Sequence, residues 1–148
     1  MNNLPILPYL FFEGRAEEAV SFYAKALGAQ PGMMMRYRDS PEGGGKCPDG
    51  STPPGDKVMH GEMKINDNAI FFSDGMCSGK PSFAGFSLAY TAKDAADAKK
   101  RFDALAQGGQ VMQPVIETFF AKAFGMVSDK FGLHWMVMAE PKNPAPQP

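Results

Sequence analysis

The sequence is poor in the residues that build several common site types. It has two cysteines, Cys47 and Cys77, each set among Gly, Pro and Ser and not in a Cys-x-x-Cys pair. A disulfide framework is therefore excluded and free, reduced thiols are expected. It has two histidines, His60 and His134, too far apart in the chain for a close-spaced zinc motif. Charge of one sign is also lacking: the formal net charge is -1, and no Lys/Arg cluster interleaves with aromatics, so no nucleic-acid partner is expected. No apolar run approaches the roughly 20 residues that span a bilayer. Met1-Asn2-Asn3-Leu4-Pro5-Ile6 has no charged start leading into a long apolar core, so the expected address is the cytoplasm, with no membrane partner. Gly43-Gly44-Gly45-Lys46 lacks the spaced first glycine, the following Ser or Thr and the strand-helix setting of a phosphate loop.

What is present is an internal repeat in a chain of 148 residues, 44% hydrophobic and 11% aromatic, enough to bury a substantial core. Leu10-Phe11-Phe12-Glu13-Gly14 leads into an Ala-rich stretch ending at Leu27-Gly28, and Ser87-Leu88-Ala89-Tyr90 leads into another ending at Leu105 to Gly108. Two such units would share one core, and ligand sites favour seams of this kind. In the first unit Tyr9 to Phe12 reads as a strand. Ala16, Ala19, Val20, Tyr23 and Leu27 form one helical face, which Gly28 stops. Met33 to Arg38 reads as the second strand. Asp39 to Lys57 is a long Gly/Pro-rich mobile loop, a candidate lid. Val58 to Ile65 alternates, with Met59, Met63 and Ile65 on one face and His60, Glu62 and Lys64 on the other. Asn66-Asp67-Asn68 is turn chemistry and Ala69 to Asp74 returns as the partner strand.

Met76 to Pro81 is a connector, after which Phe83 to Tyr90 opens the second unit. Thr91 with Asp94 resembles a capping box, and Ala95, Ala98, Phe102 and Leu105 stripe the helix that follows. Strands are predicted at about Gln110 to Glu117, Ala123 to Ser128 and Leu133 to Ala139. The last two are joined by the turn Asp129-Lys130-Phe131-Gly132, and Pro141 to Pro148 is a frayed tail. Trp135 alternates into the core, and most of the eleven Met residues read as core filler. The order βαβββ followed by βαβββ defines an α+β fold.

Four stretches carry a family resemblance: Pro8-Tyr9-Leu10-Phe11-Phe12-Glu13-Gly14, Val58-Met59-His60-Gly61-Glu62, Phe72-Ser73-Asp74 and Gly125-Met126-Val127-Ser128-Asp129-Lys130-Phe131-Gly132-Leu133-His134-Trp135. In this order they resemble the PhnB-like branch of the vicinal-oxygen-chelate superfamily, which includes glyoxalase I, bleomycin-resistance proteins and extradiol dioxygenases. Phe120 stands where this family has Trp. The resemblance implies one vicinal-oxygen-chelate domain over 1–148, with modules at about 4–75 and 83–140 and a tail at 141–148. Its tandem βαβββ modules would form a glyoxalase-like curved mixed sheet with a cup-shaped cavity, in a homodimer. Relatives commonly hold a divalent metal with four side chains; those positions map here onto Pro8, Phe72, Gly85 and Met136, none of which suits a hard cation. No cofactor is expected.

The mapping turns Pro8, Leu10 and Phe12; Ile70, Phe72 and Asp74; Gly85, Ser87 and Ala89; and His134, Met136 and Met138 into the cup. Leu10, Phe12, Glu62, Phe72, Ser87, Phe120, His134 and Met136 are then the candidate ligand contacts. A three-residue hairpin loop would set Ile65 opposite Ala69 and His60 opposite Asp74, with Cβ atoms about 4.5–5.5 Å apart, so that the carboxylate orients the imidazole. That pair is either catalytic or a structural closure of the hairpin end. The leading expectation is metal-free binding of a small, partly apolar ligand. The alternative is a lyase or isomerase in which His60 and Asp74 move a proton, with an atypical divalent metal near Glu62 or His134. A demethylubiquinone methyltransferase label attaches to such sequences, but the chain lacks the glycine-rich strand-helix turn and open parallel sheet that usually hold a methyl donor.

Overall fold

In the computed structural model, which describes residues 5–42, 45–75 and 78–142, the repeat becomes two copies of one chain path. The first comprises β1 (Tyr9–Phe11), α1 (Ala16–Leu27), β2 (Gln30–Arg36), β3 (Val58–Ile65) and β4 (Asn68–Ser73). The second comprises β5 (Leu88–Ala92), α2 (Ala95–Leu105), β6 (Gln110–Ile116), β7 (Ala121–Ser128) and β8 (His134–Pro141). Each is a mixed four-stranded sheet, in the orders β1-β4-β3-β2 and β5-β8-β7-β6, with one parallel and two antiparallel pairings. The α+β reading therefore holds. The chain divides into two compact units at Pro81 and Ser82. Cys77 and Met76, Gly43 and Gly44, residues 1–4 and the tail from 143 lie outside the described residues.

The first unit packs α1 on its sheet because the predicted stripe is apolar and close-fitting. Ala16, Ala19, Val20, Tyr23 and Leu27 are buried, and Gly28 ends the helix in the left-handed region at φ 70°. Phe12 lies between the helix and the sheet, its ring centroid 6.1 Å from Tyr23 and 6.4 Å from Phe72. Burying Phe72 fully is worth roughly 1.5–3 kcal/mol. The ring fits only because Gly61 lies beneath it: a Cβ there would stand 2.4 Å from the Phe72 ring. Gly125 plays the same part in the second unit, where a Cβ would stand 2.8 Å from the Phe102 ring of α2.

Several boundaries move. The second strand begins at Gln30 and ends at Arg36, with irregular register between Pro31 and Met34, and Tyr37–Asp39 forms a 3₁₀ turn. Tyr37 is buried, and its hydroxyl donates to the Gly75 carbonyl at 2.9 Å. β5 begins at Leu88 rather than Phe83. The capping box shifts by one turn: Asp94, not Thr91, caps α2, accepting from the Asp97 amide at 2.7 Å, while Asp97 accepts from the Lys93 amide at 3.3 Å. No helix among the described residues is long and apolar enough to cross a membrane.

Candidate active face on the first unit

The loop between β3 and β4 decides which side chains share a face. Asn66 and Asp67 both have positive φ, 49° and 65°, so the connection is a two-residue hairpin turn with Ile65 opposite Asn68. The expected three-residue loop is one residue too long. That single step sets Gly61 opposite Phe72 and Glu62 opposite Phe71, and turns β4 over relative to the sequence-based assignment. Leu10, Phe12, Ile70, Phe72 and Asp74 are thus buried, with Phe72 edge-on to Phe12 and Phe12 against Tyr23 of α1. The assignment of Leu10, Phe12 and Phe72 as ligand contacts is corrected accordingly. The open face carries Tyr9, Phe11, His60, Glu62 and Phe71 instead.

Asp74 does not meet His60. Its carboxylate is 1% exposed; Oδ1 accepts from the Gly14 and Ala16 amides at 3.0 and 2.8 Å, and Oδ2 from the Val58 amide at 2.7 Å. It caps α1, whose own N-cap residue Arg15 makes no side-chain cap bond, and ties the start of β3 to the end of β4. The carboxylate therefore has its partners on the backbone, and the His60–Asp74 pairing of the sequence reading is corrected.

His60 faces the other way. Its Nδ1 lies 2.8 Å from the Tyr9 hydroxyl, and its Nε2 3.7 Å from Glu62 Oε1. In the tautomer with its proton on Nε2 the Tyr9 O–H donates to Nδ1; in the other the ring N–H donates and the phenol oxygen accepts. The Tyr9 phenol is protonated at neutral pH at its ordinary value of 10.0, and burial moves that value higher still. Around this chain stand aromatic rings: Tyr9 stacks on Phe11 at 5.1 Å, and Phe71 meets Tyr9 edge-on at 6.1 Å and His60 at 5.1 Å. Tyr9 is 40% and Phe11 51% exposed, and Met35 lies opposite His60 on the neighbouring strand. Tyr9, Phe11 and Phe71 were absent from the sequence-based site. The signal was the strict alternation of β1 and β4, readable only once the turn length is known.

The second unit presents different groups. Trp135, Val137 and Ala139 are buried, leaving His134, Met136 and Met138 half-buried on the opposite row, as the alternation predicts. They lie opposite Ser128, Met126 and Phe124. Phe120 packs edge-on against Phe124 at 5.0 Å, and Ser87 is half-buried just ahead of β5. Asp129 is the structural carboxylate of this unit, accepting from the Phe131 and Leu133 amides and the Trp135 indole at 2.9, 3.1 and 2.9 Å.

A family model described as 3-demethylubiquinone-9 3-methyltransferase matches residues 5–138. The chain belongs to this family. The YjdN protein of Escherichia coli (strain K12) is 34% identical over 145 residues, covering 95% of this chain and 99% of that relative. The crystal structure of PA1353 from Pseudomonas aeruginosa is 35% identical, with a TM-score of 0.77, over 93% of this chain and 98% of the other. A PhnB protein from Bacillus cereus is 28% identical, with a TM-score of 0.74, over 92% and 99%. A glyoxylase/bleomycin resistance protein/dioxygenase domain from Frankia sp. EAN1pec shares the fold at 12% identity and a TM-score of 0.57, over 95% and 93%. The chain is a PhnB-like member of the vicinal-oxygen-chelate superfamily.

The superfamily implies a divalent metal, and the residues here do not fit one. Pro8, Phe72 and Gly85 have no side-chain donor, the Met136 thioether suits soft ions, and Phe72 is buried against Phe12. Glu62 has the His60 ring beside it, and His134 lies opposite Ser128. Among the described residues no three His, Cys, Asp or Glu side chains gather closely enough to hold an ion.

Proposed function

We propose that this PhnB-like protein is a binding protein that holds a small, partly apolar ligand without a metal, on the open sheet face of its first unit. One observation carries the reading: the rings of Tyr9 and Phe11 stand open to solvent, with half-buried Phe71 beside them, around a Tyr9–His60 hydrogen bond. Apolar rings with a few convergent polar atoms are the usual make-up of a small-molecule site. The protein works in the cytoplasm, a reading supported by the absence of a long apolar run in its sequence, and as a homodimer, a reading supported by its family resemblance. A titration of isotope-labelled protein with 2-phenylethanol tests the site: amide signals of Tyr9, His60 and Phe71 are expected to shift together and saturate. Saturable shifts confined to other strands, or none, would reject it.

A second reading, a lyase or isomerase in which His60 moves a proton, is favoured by the same 2.8 Å bond, with Tyr9 and Glu62 in place of Asp74. It requires deuterium to wash into the methyl group of acetophenone in D2O, and this exchange to vanish in His60→Gln. Methyl transfer draws no support from the two mixed sheets, and titration with S-adenosylmethionine is expected to give no heat.

A further inference from the structure

The charge on the open face points to a class of ligand. Tyr9, Phe71 and Glu62 form one cross-strand row over β1, β4 and β3, so the Glu62 carboxylate stands beside the face of aromatic rings. His60 Nε2 lies 3.7 Å from it, too far for a hydrogen bond, and Nδ1 is engaged by Tyr9, so the carboxylate oxygens keep accepting capacity for a ligand. A second carboxylate, Glu13, borders Phe11 at the end of the sheet; both lie within 3.1 Å of the point where a Cβ on Gly75 would stand. On the other side of Glu62, β2 is irregular around Gly32 and β4 carries only Ala69. There a hollow of about 150 Å³ opens, bordered by Gln30, Gly32, Glu62, Lys64 and Ala69. Lys64 is the cation on this rim. It is exposed, and its flexible stem lets the ammonium stay in water while Glu62 remains on the face.

We infer that the site takes organic cations, an ammonium group carried on an aryl or alkyl body. The ammonium sits in the hollow against Glu62, and the body lies on Phe71 and Tyr9. The carboxylate attracts the positive charge and repels an anion, while the rings hold the body, and a cation that strays from the hollow onto their faces is still attracted. The inference rests on the proposed ligand-binding face and adds the sign of the ligand.

The test uses the full chain at pH 7.5 and three matched probes: 2-phenylethylammonium, 2-phenylethanol and 3-phenylpropanoate. Isothermal titration is expected to show the ammonium binding about tenfold tighter than the alcohol, with the carboxylate weakest. Glu62→Gln should erase the advantage of the ammonium over the alcohol. Lys64→Met, which touches the charge balance from the other side, should preserve or enlarge that advantage. An ammonium that binds no tighter than the alcohol, or a Glu62→Gln protein that keeps the preference, would overturn the cation assignment while leaving the ligand-binding face standing. Failure of all three probes to bind would overturn both.

Discussion

The two units share one chain path and differ in what their open faces carry. In the first, β1, β3 and β4 present a phenol, an imidazole, a carboxylate and aromatic rings. In the second, the equivalent rows present Met126, Met136 and Met138, with Phe124 buried and His134 at one end opposite Ser128. The scaffold is therefore neutral with respect to chemistry, which resides in a handful of side chains on alternate strand positions. The units also differ in how a carboxylate closes the helix start. Buried Asp74 holds three backbone amides in the first, whereas in the second Asp94 caps the helix itself and half-exposed Glu140 only adds a bond from the Ala95 amide at 3.3 Å while pairing with Lys122 at 3.4 Å.

That contrast can be broken most sharply at the carboxylates. Asp74→Ala should cost about 3 kcal/mol or more, because three buried amides lose a charged acceptor, whereas Glu140→Ala should cost about 0.5–1 kcal/mol, a half-exposed acceptor. Urea denaturation of the two variants reads the difference, and equal losses would mean that the units are tied alike. The glycines beneath the rings come next. Gly61→Ala is expected to lose about 1–3 kcal/mol to overpacking. Gly125→Ala should lose less, since its closest contact is 2.8 Å rather than 2.4 Å.

The smallest effect separates Tyr9 from the rest of the first face. Its phenol keeps its proton above 10.0 in the folded chain because burial disfavours the charged form. As pH rises past 10.0 the unfolded chain loses that proton before the folded one does, so stability is untouched below this range and falls through it. Tyr9→Phe should remove this part of the alkaline loss in thermal melts between pH 8 and pH 11. It should also shift the ring nitrogens of His60, leaving those of His134 as they were.

Much of this architecture is legible in the residues, because helices and long alternating strands announce themselves. The stripe from Ala16 to Leu27 and the glycine stop need no tertiary information, and the Trp135 row falls on the buried side because it alternates away from the row that the family resemblance turns inward. Faces in the first unit were not legible. Asn66, Asp67 and Asn68 all suit a turn, and composition does not say that Asn68 belongs to the strand; the paired positive φ values of Asn66 and Asp67 decide it. The capping box failed for a similar reason, since Thr91 and Asp94 have the right spacing but Asp94 and Asp97 have it too, one turn later. In β2 the irregular register near Gly32 hid the hollow beside Glu62, because a bulge leaves no periodic trace.

Hairpin length works as a parity switch on this scaffold. One codon inserted between Asn66 and Asp67 would set the pairing favoured by the bend against the one that keeps Ile70 and Phe72 out of water, and a bulged or longer bend would be needed to reconcile them. Variation at this bend is therefore less forgiving than its exposed, polar residues suggest.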